Sequence, residues 1–263
     1  SYSYSWTSDF GATIPGPTLF SFETLALDQW TCTATASDGG LSAQASDMVS
    51  IIMLDSWDDC PITQTLNEAQ LQFIGENGGD NAGYSVSSAG DVDGDGLDDI
   101  LVGAHSNDYA GLDAGKTYLI LGSSLGANSI IDLSLADYSF TGENIDDAAG
   151  YSVSLAGDVD GDGLDDILIG GRANDDGGTD AGKTYLILGS SLGFSPIIDL
   201  SLADYSFIGE GSYNYAGSSV SSAGDVDGDG FDDILIGAHA NDDGGAYAGK
   251  TYLILGSSLG LSP

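Results

Sequence analysis

DVDGDGLDD, residues Asp91–Asp99, returns as DVDGDGLDD at Asp158–Asp166 and as DVDGDGFDD at Asp225–Asp233. The starts lie 67 residues apart both times. Carboxylates at positions one, three, five and nine, with glycines at four and six, let one short loop wrap a hard cation in oxygen. In the first loop, Asp91, Asp93, Asp95 and Asp99 are the side-chain ligand candidates, and Leu97 offers its backbone carbonyl. The second set is Asp158, Asp160, Asp162, Asp166 and the carbonyl of Leu164; the third is Asp225, Asp227, Asp229, Asp233 and the carbonyl of Phe231. An ordinary Asp-Gly turn needs one or two aspartates. Five in nine residues repel one another unless a cation neutralises them. A carboxylate-rich set without His or Cys suits calcium better than magnesium, which keeps its waters, or zinc, which prefers nitrogen and sulfur. Three Ca2+ sites are therefore expected. Asp98, Asp165 and Asp232, at position eight, point away from the ligands and read as turn or hydrogen-bonding residues.

An EF-hand needs a bidentate Glu at position twelve and flanking helices. Position twelve here is Val102, Ile169 or Ile236, and the loops run into DILVGAH, DILIGGR and DILIGAH. These are short β-rich runs, so each loop is expected inside a β-hairpin. The repeat extends further. F-x-G-E recurs around Gly75, Gly142 and Gly209, and AGKTYLILGSSLG recurs around Lys116, Lys183 and Lys250. Each unit reads as four strands: near Tyr84–Gly90, near Asp99–Ala104, Lys116–Leu121, and near Asp137–Gly142 after an outer segment reading IIDLSLADYSF in two copies. Four short strands per unit with Gly-rich turns is the form of a propeller blade.

On F-x-G-E, AGYSVSSAGDVDGDGLDDILVGA and AGKTYLILG, each unit resembles the FG-GAP repeat of the integrin α-subunit propeller and its microbial relatives. The fold class expected is all-β: three blades over residues 61–263 (about 61–126, 127–193 and 194–263), forming an incomplete ring, since known propellers need four to eight blades. The resemblance implies that the acidic loops join the first and second strands on one face. It implies that a protein or glycan ligand meets the opposite face, built from the 4–1 and 2–3 loops. Segment Pro61–Phe73 matches Pro196–Phe207, an outer strand without a preceding blade, while the third copy stops where its own outer strand begins. Two readings stay open: a piece of a longer chain, or a strand supplied by another copy in self-assembly.

Residues 1–60 lack the repeat. Their alternating strands and turns resemble part of a bacterial immunoglobulin-like or PKD-type β-sandwich, with Trp6 and Trp30 as core candidates. Cys32 and Cys60, the only cysteines, either pair with each other or each pairs with a residue outside this sequence. Without Cys-x-x-Cys, a redox or zinc role has little support.

The chain has 41 acidic and 4 basic residues, a formal charge of −37. Such a surface disfavours nucleic acid and anionic membranes. No hydrophobic run reaches the length of a membrane span, so no direct membrane insertion is expected of this fragment. Weak calcium loops fill at extracellular, not cytosolic, calcium. The composition thus points outside the cell, to a microbial surface. His105 and His239 share a repeat position with Arg172, which reads as a solvated loop position and not as a general base. No nucleophile motif appears, so no enzyme is expected. The loops that vary between copies carry Tyr109, Tyr213, Tyr215 and Tyr247, candidates for stacking on a ligand. They also carry Asp108, Asp175, Asp176, Asp242 and Asp243, candidates for a further cation. The expected function is a calcium-binding surface protein, adhesive or structural. The alternatives are a filament or sheath subunit joined by strand exchange, and a binding module of a secreted carbohydrate-active enzyme.

Overall fold

The structure is a computed structural model. It describes residues 2–8, 13–15, 30–37, 42–48, 66–126, 130–193 and 195–260. The described residues form strands and short 3-10 turns, and the chain divides into two compact units, 1–66 and 67–263. In the first unit β1 (Tyr2–Ser8), β2 (Thr13–Pro15), β3 (Trp30–Ser37) and β4 (Ser42–Met48) form one antiparallel sheet in the order β2-β1-β3-β4. Trp6 faces Cys32 in the β1–β3 register. The side chains of Trp6 and Trp30, expected in a core, and Cys60 with its pairing lie outside what the structure describes.

The second unit begins with β5 (Gln72–Ile74), then β6 (Ser85–Gly90), β7 (Asp99–Ala104), β8 (Lys116–Ile120), β9 (Ile130–Asp132) and β10 (Tyr138–Thr141). It continues with β11 (Ala149–Gly157), β12 (Asp166–Gly171), β13 (Lys183–Ile187), β14 (Ile197–Asp199) and β15 (Tyr205–Ile208), and ends with β16 (Ala216–Gly224), β17 (Asp233–Ala238) and β18 (Lys250–Ile254). The blades are antiparallel meanders: β6-β7-β8-β10, then β11-β12-β13-β15, then β16-β17-β18. All-β blades of this kind were the expected fold class.

Central strands are buried on both faces and therefore read as continuous apolar runs. DILIGG of β12 and KTYLI of β8 and β13 are buried throughout. The same KTYLI alternates between exposed and half-buried in β18, where no fourth strand pairs with it among the described residues. Leu101, Leu119, Phe140, Ile167, Ile169 and Tyr185 pack together in one cluster that spans the first two blades. Leu168, Leu186 and Ile234 link the second to the third.

One element departs from the expected four strands per unit. The IID half of IIDLSLADYSF is a strand in its own right, and it pairs backwards. β14 lies parallel to β10, with Phe140 opposite Ile198, and β9 lies parallel to β5, with Phe73 opposite Ile131. A capping aspartate separates the two halves of the segment. Asp132 Oδ1 accepts from the Ser134 N–H (2.9 Å) and Asp199 Oδ1 from that of Ser201 (2.9 Å), starting a 3-10 turn that breaks the strand. The first half then stays with the preceding blade while the second turns into its own.

Candidate metal centres

Each acidic loop closes a β-hairpin: β6–β7, β11–β12 and β16–β17. The two loop glycines carry the left-handed conformation that the tight winding needs, with φ of +76° at Gly94 and +88° at Gly96. Position one is the hub. Asp91 Oδ1 accepts from the N–H groups of Gly94 (2.8 Å) and Asp95 (3.0 Å), and its Oδ2 from Gly96 (2.9 Å). Asp93 accepts from the Asp95 N–H (3.1 Å), and Asp95 from that of Leu97 (2.8 Å). Asp99 is held from both sides, by Val92 (3.0 Å) and by Gly122 at the end of β8 (2.8 Å). The second and third loops repeat this pattern around Asp158 and Asp225.

Carboxylate oxygens of Asp91, Asp93 and Asp99 lie within 4.8 Å of one another, as do those of Asp158, Asp160 and Asp166. In the third loop the group is Asp225, Asp227 and Asp229. The structure thus gathers positions one, three and nine in two loops, and one, three and five in the last. Asp95, Asp162 and Asp233 stand outside these groups, each tied to backbone N–H donors. Leu97, Leu164 and Phe231 sit at the loop ends, their N–H groups bonded to position five.

The electrostatics fit a cation. Position nine is buried in every loop: Asp99, Asp166 and Asp233 are 1%, 1% and 0% exposed. Burial, then the nearby Asp160 and Asp162 carboxylates, push Asp166 up to about 7 despite two backbone donors. Burial raises Asp99 and Asp160 in the same direction, with neighbouring aspartates adding to it. Asp227 follows, while Asp229 is lowered by Ser257 and the Phe231 N–H. Acceptor oxygens at this spacing, with no described Lys or Arg ion pair among them, could hold a hard divalent ion.

Position eight braces the neighbouring loop. Asp165 accepts from the Asp91 N–H, and Asp232 does the same for Asp158 (3.0 Å). The expected further cation at the variable loops has a different geometry. Asp176 and Asp243 each lie 2.8 Å from a lysine, Lys183 and Lys250. Asp108, Asp175 and Asp242 accept backbone N–H groups of their own loops.

Sequence reasoning missed a second repeated device. Glu76, Glu143 and Glu210 of F-x-G-E pair with Lys116, Lys183 and Lys250 at 2.6, 2.7 and 2.8 Å. Tyr118 donates to the same Glu76 oxygen at 2.6 Å. Both residue types recur at the period; only the pairing across 40 residues was hidden. The 4–1 and 2–3 loops do meet on one face. Asp146 and Ala148 donate to Leu112 and Asp113, and Tyr213 and Tyr215 to Thr179 and Asp180.

The comparisons agree with this geometry. The family model of the FG-GAP repeat matches residues 82–120, 149–187 and 216–254. Integrin alpha-5 of Xenopus laevis is 34% identical over 185 residues, covering 68% of this chain and 15% of the integrin. Integrin alpha-4 of the same organism is 28% identical over 200 residues (75% and 18%), and integrin alpha-PS2 of Drosophila melanogaster 31% over 185 residues (68% and 12%). The chain spans less than a fifth of the length of these relatives. No described helix is long and apolar enough to cross a membrane. On this combination of blade meanders, acidic hairpin loops and matched repeats, the chain carries three FG-GAP repeats, in a stretch similar to integrin α subunits.

Proposed function

We propose that this chain is a non-catalytic, extracellular adhesion module whose blades are stabilised by three calcium ions. The observation that carries the reading is a cluster of three aspartate carboxylates, with oxygens within 4.8 Å, in each of three hairpin loops at one period. The ligands proposed are Asp91, Asp93, Asp95, Asp99 and the Leu97 carbonyl, with the matching residues of the other two loops. A bound ion relieves the mutual repulsion of the clustered carboxylates and so stabilises the native state by mass action. The similarity to integrin α subunits supports an adhesive role. The opposite face, where variable 4–1 and 2–3 loops meet, is the proposed surface for a protein or glycan ligand. The test is calorimetric titration of metal-free protein with calcium, together with melting in calcium and in chelator. Three equivalents and a clear rise in Tm are expected; identical melting with and without calcium would sink the reading.

A second reading rests on β18. Its half-exposed edge has no outer partner among the described residues, and such an edge templates strand addition. In that reading copies assemble by strand exchange. Sedimentation of the chain before and after deletion of residues 61–73 tests it, and assemblies unchanged by the deletion exclude it.

A further inference from the structure

Away from the acidic loops, six planar side chains stand in one continuous row. They lie at the opposite ends of the innermost hairpins: Tyr84 before β6 and His105 after β7, Tyr151 early in β11 and Arg172 after β12, Tyr215 before β16 and His239 after β17. The His105 ring lies 4.3 Å from that of Tyr84, and Tyr84 lies 4.9 Å from Tyr151, with their hydroxyls hydrogen-bonded at 2.9 Å. The Arg172 guanidinium sits 4.4 Å over the Tyr151 ring and 5.6 Å from that of Tyr215, which stacks on His239 at 5.4 Å. The row is open to solvent in part: Tyr84 is 54% exposed and His239 is exposed.

Charge singles out Arg172. The chain has 41 acidic and 4 basic residues. Each of the three lysines is held by a repeat glutamate. Among the described residues Arg172 forms no ion pair, and its Nε has no hydrogen-bond partner. With acids so abundant, a lone arginine without a carboxylate is a site kept free of internal partners. A guanidinium lodged between two aromatic rings and left without a carboxylate keeps its donor fork for an outside one, which it can take bidentately. The Tyr84 ring, 54% exposed further along the row, offers an open aromatic surface to the C–H face of a sugar ring.

We infer that Arg172, flanked by Tyr151 and Tyr215, binds the carboxylate of an acidic saccharide whose rings lie along the aromatic row. The inference rests on the adhesion reading above and names the ligand class for that face. The long-range repulsion from so acidic a chain is confined at physiological ionic strength to about 8 Å. A contact made at the arginine itself survives that screening.

The probe is a trimer of galacturonic acid, with the neutral galactose trimer as control. Both are titrated calorimetrically at physiological salt into calcium-saturated protein. The acidic trimer binds at least about tenfold more tightly than the neutral one, and Arg172→His removes at least about tenfold of that affinity. This variant folds, because the first and third repeats carry His105 and His239 at the same position. Tyr151→Ala weakens the acidic trimer as well. Equal binding of both sugars, no binding, or acidic binding untouched by Arg172→His (capture through the calcium loops) overturns the inference. An acidic peptide that competes with the trimer at equal or higher affinity overturns the saccharide assignment. The calcium-dependent rise in Tm is read on the same samples. If it persists while trimer binding fails, this inference alone falls; if it is missing, the adhesion reading falls first.

Discussion

Asp165 grips Asp91 on both sides of its Cα: the Asp165 carboxylate accepts from the Asp91 N–H at 2.9 Å, and the Asp165 N–H donates to the Asp91 carbonyl at 3.1 Å. The second loop thus sets the backbone of the first. The fit is tight enough that Gly90, at φ +73°, has no room for a Cβ, which would stand 2.1 Å from Asp165 Oδ2. Asp158 and Asp232 repeat the clamp one blade on.

Asp165→Ala should therefore lower calcium affinity at the first loop although Asp165 is not among its ligands. Losing the acceptor of a part-buried N–H costs about 1–3 kcal/mol. Asp165→Asn keeps an acceptor and should retain most of that stability. Asp98→Ala, at the exposed equivalent position in the first loop, should change stability by no more than about 0.5 kcal/mol. Urea denaturation with calcium titration separates the three.

Asp160→Ala should reduce the calcium stoichiometry from three equivalents to two. Hydrogen exchange should then rise chiefly in β11 and β12, which flank the emptied loop. Unchanged stoichiometry would remove Asp160 from the ligand set.

The lysines should differ in their cost. Lys183 and Glu143 are 8% and 14% exposed at their side chains, so Lys183→Met leaves two carboxylates without their cation and should cost about 3–5 kcal/mol. Lys250 and Glu210 are 34% and 49% exposed, and water screens their pair, so Lys250→Met should cost much less than Lys183→Met. Equal losses in chemical denaturation would contradict this ranking.

His105 gives a pH signature. Burial first, then the charge of Arg172, lowers its pKa below the ordinary value, with Asp113 opposing. The native state therefore holds fewer protons than the unfolded chain. Stability is full above about pH 6.5 and is lost as the pH falls from there through the lowered folded value. Calcium-saturated protein should show this slope, and His105→Phe, which keeps a ring against Tyr84, should flatten it. A slope that survives the substitution assigns it to other groups.

The hairpin loops and central strands were legible because each signal is local: carboxylates at fixed offsets, and DILIG runs with no polar face. What escaped was pairing at a distance. Asp132 and Asp199 read as ordinary polar residues in an outer segment; their role as caps, which frees IID to join the previous blade, appears only in three dimensions. The aromatic row was hidden for another reason. Tyr84 and Tyr151 share a repeat position, but the third copy has Ser218 there, and its ring comes from Tyr215 three residues earlier. A comparison by repeat position does not find it. The expected solvated setting of His105 and Arg172 gave way to ring stacking for the same reason.

The backward pairing of β14 with β10 has a mechanical meaning. In a parallel pair the incoming chain enters one strand at the end opposite to that where the outgoing chain leaves the other. Tension along the chain therefore loads the β10–β14 bonds in shear, all at once, whereas an antiparallel hairpin opens one bond at a time. Each repeat is in this sense stitched to its predecessor, and a pull that would peel a free-standing blade must first break a whole seam.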